Sequence, residues 1–261
     1  MSRRRSAGPV YLEQTGTDPK ASTISESQNA TQSHQMSQSL APVTEKPVVR
    51  VAARLLHQLK PHIAEAYIDS GKWNKFSITC DQLDLSGKDE NGGGFLRLIR
   101  PEKMQQLASQ YGFDSVRELW LDSDHLDRFL CAIHENKMLM VEAMLYPRDG
   151  HFPHINGVLL EADELKENAL MFSEVWSILM LTLMAMRYSH NQKFELVPVT
   201  VVTLSSTAFR VVQGFADGKA GCVKIRKSGI VTLGPDQETI KEQMMLIVRW
   251  LLADPVWPSK H

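Results

Sequence analysis

From Val175 to Met186 the chain reads V-W-S-I-L-M-L-T-L-M-A-M, twelve residues without a charge. A helix that crosses a bilayer needs about 20 apolar residues, so this run is too short to be a span. It also lacks a polar stripe at helical spacing, so a helix built from it must be enclosed by protein on all sides. Strand-like segments follow at 197–203, 209–215 and 221–227. A final helix is expected over 238–252, with Ile240, Met244, Ile247, Val248 and Leu251 as its core stripe. The expected fold class is α+β: a single domain in which a mixed or antiparallel sheet packs on the buried apolar helix, behind a helical N-terminal part.

The first 47 residues do not belong to that domain. Residues 13–46 are dominated by Ser, Thr, Gln, Pro and Ala, a composition that buries too little apolar surface to offset its ordering entropy. A disordered tail over 1–47 is expected, followed by one globular domain over 48–258. The net charge of −1 creates no global field to attract nucleic acid or anionic lipid. Cys80, Cys131 and Cys222 are far apart and odd in number, which suggests neither a disulfide framework nor a zinc pattern. A reducing compartment fits that usage, and the N-terminus lacks the apolar segment of a secretory signal. The expected location is intracellular, cytoplasmic or nuclear.

Val51, Leu55, Leu56, Leu59 and Ile63 share one helical face, with Pro61 expected to kink or divide the segment. Residues 76–80 alternate like a strand, and Phe95 to Ile99 form another candidate. The glycines at 92–94 between them lack both the P-loop Lys-Ser/Thr pair and the spacing of a dinucleotide fingerprint. Three short helices are expected over 101–136, the last carrying Leu126, Phe129, Leu130 and Ile133. Cys131 and His134 would then share one helical face. Lys137 to Tyr146 reads as a strand buried on both faces, with Glu142 its single charge.

Three constellations could carry chemistry. His151-Phe152-Pro153-His154 places two imidazoles in a loop, and Glu142 or Asp149 could add a carboxylate for a metal ion or for acid–base work. The alternative is a rigid loop with its histidines bonded to backbone. An acid within an apolar strand is costly unless paired, so Glu142 requires either a functional cavity or a partner such as Arg148 or Arg187. The same reasoning applies to Glu174. The third is a cationic sheet face: alternation turns Val223 and Ile225 inward and Lys224 and Arg226 outward, with Arg210 expected to extend that face. It could contact phosphates, although no aromatic side chains interleave to stack on bases. Arg148, Asn156, Arg210, Lys224 and Arg226 are therefore the candidate binding residues. Glu142, His151 and His154 are the candidate catalytic residues, the two histidines being candidate metal ligands.

The segments M-V-E-A-M-L-Y-P-R (140–148), H-F-P-H-I-N-G (151–157), P-V-T-V-V-T (198–203), R-V-V-Q-G (210–214) and R-W-L-L-A-D-P (249–255) resemble a family of proteins from filamentous fungi. That resemblance implies a fungal origin and no particular activity. The order helix–strand–strand–strand–helix over 168–252 also resembles a PD-(D/E)xK nuclease-like core. Lys224 matches that motif's lysine, but Cys222 stands where an acid is needed and Asp217 lies in the turn. The resemblance therefore implies a degenerate copy, since the missing carboxylate would hold Mg²⁺. The expectation for function is a non-catalytic binding or scaffold protein without a cofactor, its partner more readily a protein than a nucleic acid. The alternative is a metal-assisted hydrolase of divergent nuclease-like fold, using a divalent metal ion with Glu142, His151 and His154.

Overall fold

A computed structural model describes residues 46–86, 95–111, 129–134, 137–145 and 152–256. Residues 1–45 of the tail expected over 1–47, the glycine-rich loop, the helix expected near 114–120 and the last residues from 257 lie outside them, while Pro47 already belongs to a helix. Helix α1 (Pro47–Leu59) starts on a proline, whose missing N–H costs nothing in a first turn. It buries Val48, Val51, Ala52, Leu55, Leu56 and Leu59, the predicted face. Pro61 sits in the 3₁₀ turn Lys60–His62 that ends the helix. The following elements are β1 (Tyr67–Asp69), β2 (Ile78–Gln82), β3 (Leu96–Arg97), α2 (Pro101–Tyr111), β4 (Phe129–His134), β5 (Lys137–Leu145), β6 (Ile155–Leu160) and β7 (Ala169–Met171). The chain continues through α3 (Phe172–Arg187), β8 (Val199–Leu204), β9 (Ala208–Asp217), β10 (Cys222–Lys227), β11 (Val231–Thr232), α4 (Gln237–Leu251) and β12 (Asp254–Pro255).

The main sheet is mixed, in the order β2-β10-β9-β8-β6-β5-β4, and β11 continues beside β9 where β10 ends. Two pairings are parallel, β2 with β10 and β6 with β8. Alternation along the strands divides the interior into two apolar layers. On one face Val199, Val201, Val212, Ala216, Val223 and Ile225 pack with α1 and α3. On the other, Val202, Phe209 and Val211 pack with Ile247, Trp250 and Leu251 of α4. The uncharged run is thus the buried helix beneath the sheet, with Val175, Ile178, Leu179 and Leu181 wholly enclosed. The domain is α+β as expected, with helices covering both faces of a mixed sheet. No helix among the described residues is long and apolar enough to cross a membrane.

The layers meet closely at two glycines. A Cβ on Gly214 would lie 3.0 Å from Ile178 Cδ1 and 3.0 Å from the Lys224 carbonyl oxygen. On Gly218 it would lie 2.7 Å from Pro47 Cβ and 2.7 Å from the Val48 nitrogen, so the β9–β10 turn presses against the start of α1.

Residues 129–134, expected to be helical, form strand β4 instead. Phe129, Leu130 and Ile133 satisfy helical spacing, but β5 offers a partner running antiparallel from Val141 to Lys137. A short apolar run obeys whichever period its neighbours complete. Cys131 and His134 consequently share a strand, not a helical face.

Candidate functional site

Among the described residues one ion pair is completely buried. Glu174, in the first turn of α3, and Arg210, on β9, are both 0 % exposed. Arg210 donates from Nε to Glu174 Oε1 at 2.8 Å and from Nη2 to Oε2 at 2.5 Å, a bidentate fork. Thr203 Oγ1 donates to Oε1 and the Met171 amide to Oε2, both at 2.8 Å. Arg210 Nη1 donates to the carbonyls of Lys166 and Ala169, each at 2.9 Å. Burial acts against the guanidinium charge, but the Glu174 carboxylate outweighs it and holds Arg210 above its ordinary value. Each oxygen of the Glu174 carboxylate thus accepts two hydrogen bonds from within the protein. It is a structural clamp between α3, β9 and the segment ahead of β7.

The clamp corrects one expectation. Arg210 does not extend the face of Lys224 and Arg226. Register pairs Gln213 with Arg226 and Phe215 with Lys224, so those four share the α4 side, while Arg210 lies on the α3 side with Val212 and Gly214.

On the α4 side the register aligns a polar row across five strands. Asn156 on β6 stands opposite Thr200 on β8, Thr200 opposite Gln213 on β9, Gln213 opposite Arg226 on β10, and Arg226 opposite Asp81 on β2. At its inner end Asn156 Nδ2 donates to the Leu251 carbonyl at 2.8 Å, tying the row to the end of α4. His154, just ahead of β6, shares a 3.1 Å hydrogen bond between Nε2 and Thr200 Oγ1. Gln213 Nε2 donates to the same hydroxyl at 3.1 Å. Burial pushes the His154 imidazole down to about 3, with Asn156 acting the other way, so the ring is neutral and can accept the Thr200 hydroxyl proton.

At its outer end the row opens into a cleft of about 260 Å³ lined by Asp81, Phe95, Gln213, Gly214, Phe215, Lys224, Ile225 and Arg226. Phe95 and Phe215 meet edge to face, their centroids 5.3 Å apart. Lys224 Nζ is engaged by Asp217 Oδ2 at 2.8 Å. Gln213 Oε1 and Arg226 Nη1 are buried and have no hydrogen-bond partner among the described residues. Leaving such a group unpaired costs about 1–3 kcal/mol, more for a charged one, so two at the wall of one cleft mark it as built for something else to complete.

Asn156, Lys224 and Arg226 are thus brought onto one sheet face, and His154 lies behind it. Glu142 stands where the β5–β6 register shifts between Val141 and Ala143, the position of a β-bulge; its side chain lies outside the described residues, as do Arg148 and His151. Among the described residues no three His, Cys, Asp or Glu side chains gather as a metal ion would require. Asp217 Oδ1 accepts from the amides of Lys219 and Ala220, closing the β9–β10 turn. Sequence reasoning missed Asp81, Phe95, Thr200, Gln213 and Phe215. Gln213 carried a legible signal, being an amide within the otherwise apolar strand V-V-Q-G-F. The others required the register. Compared with protein-family models, with curated proteins and with solved structures, the chain matches none, and its own side chains carry the functional argument.

Proposed function

We propose that this chain is a non-catalytic binding protein that receives its ligand in the cleft between β2, β9 and β10. The observation that carries this reading is a pair of buried polar atoms without a partner among the described residues, Gln213 Oε1 and Arg226 Nη1, beside apolar walls of Phe95 and Phe215. A concave, mainly apolar lining with a few convergent polar groups is the general character of a binding site. His154, hydrogen-bonded to the row through Thr200, is 3 % exposed and neutral, which suits a fixed support better than a proton carrier. A cleft of this size admits a small molecule or one side chain of a protein partner, since a protein–protein interface buries about 1,200–2,000 Å² in all. The free thiols of Cys80 and Cys222 support a reducing, intracellular setting, cytoplasmic or nuclear.

The reading is tested by adding a chemically mixed fragment set to ¹⁵N-labelled protein and following amide shifts. Shifts should concentrate on residues 81, 213–215 and 224–226, and should weaken in Arg226→Gln. Shifts centred on any other surface would overturn it.

A further inference from the structure

The geometry points to a free α-amino acid with an apolar side chain as the ligand of this cleft, an inference that rests on the binding reading above. Arg226 and Asp81 stand opposite each other in the β2–β10 register and both line the cleft. Two such residues would ordinarily bridge each other, yet among the described residues neither forms an ion pair with the other or with a third group. Lys224 is unlike them, because Asp217 holds its ammonium. Among the described residues the cleft therefore presents one free cation and one free anion side by side, and a side chain of a protein partner carries only one charge. A zwitterion satisfies both.

The remaining groups fit the same occupant. Arg226 offers the planar fork that matches a carboxylate. Gln213 Oε1 accepts hydrogen bonds, and an α-ammonium has three to give. The orientation of that amide is set from behind: Thr200 can give its proton to neutral His154 and take one from Gln213 Nε2, leaving Oε1 for the ligand. Phe95 and Phe215 supply an apolar wall. About 260 Å³ suits a molecule of roughly a dozen non-hydrogen atoms.

The test is calorimetric titration of the full chain with L-leucine and L-phenylalanine. In parallel, phenylalaninamide lacks the carboxylate and N-acetylphenylalanine lacks the ammonium. At least one of the two amino acids should bind, and both analogues should bind at least about tenfold more weakly than L-phenylalanine or L-leucine. Arg226→Gln and Asp81→Asn should each weaken amino-acid binding to a similar extent, and Lys241→Gln, on the exposed face of α4, should leave it within about twofold. Equal binding of either analogue, or no heat from either amino acid at about 5 mM, would overturn the assignment. If fragments still cluster at 213–215 and 224–226 in that event, the amino-acid assignment falls and the binding reading stands. The analogue series uses only wild-type protein, so the outcome does not depend on whether a variant folds.

Discussion

At the scale of single residues, the buried charges decide most. Removing one partner of the Glu174–Arg210 fork strands the other in a dry interior. Arg210→Met should therefore cost about 3–5 kcal/mol of unfolding free energy in urea titration, and Glu174→Met a comparable amount. The double substitution should cost clearly less than the sum, because it leaves no orphan charge. His154 gives a second prediction with a definite sign. Its folded value lies near 3 and its unfolded value near 6.5, so below pH 6.5 the unfolded chain binds the extra proton. Its contribution is complete above about pH 6.5 and is lost as pH falls, on the order of 1 kcal/mol per pH unit. Midpoints in urea between pH 6.5 and 4.5 should follow that slope, and His154→Gln should flatten it. The requirement that Glu174 find a partner was legible from an acid beside an uncharged run. The identity of that partner was not. Arg210 and Arg226 differ in face only through the antiparallel register of β9 and β10, which is a property of two strands together, and a shift of one residue would put both on one face.

At the scale of elements, α3, the β8–β10 meander and α4 were legible because each is long enough for its period to be unambiguous. The strand β4 was not, since a short, mainly apolar run fits either period until β5 supplies hydrogen bonds. The polar row was likewise invisible in the sequence, its members coming from five strands, with Asp81 on β2 far ahead of Asn156, the next member in sequence order. Contact between the β9–β10 turn and α1 gives an element-scale prediction. Gly218→Ala places a methyl group against the backbone of Pro47 and Val48, where no flexible side chain can yield. It should lower stability by about 1–3 kcal/mol, and amide exchange should quicken first in α1. Unchanged protection in α1 would show that the turn gives way instead.

At the scale of the whole molecule, the two apolar layers share their strands. Val199 and Val201 face α3 while Val202 faces α4 from the same β8, so one layer cannot be lost while the other keeps its sheet. Trp176 lies in the first layer and Trp250 in the second, where its indole Nε1 donates to the Leu85 carbonyl at 3.2 Å. Far-ultraviolet circular dichroism and tryptophan fluorescence should therefore trace one coincident transition in urea, and separate midpoints would show the layers to be independent. The parallel edge of the sheet bears on how that state is reached. Strand β2 joins β10, with Ile78 opposite Val223, across most of the described chain, whereas α3 and the β8–β10 meander close over short distances. Loop-closure entropy favours the local unit first, and β2 would dock late. Until it does, β10 is itself an open edge with Val223 and Ile225 uncovered on one side. The interval before docking is when newly made copies of this protein are most able to pair with one another in place of themselves.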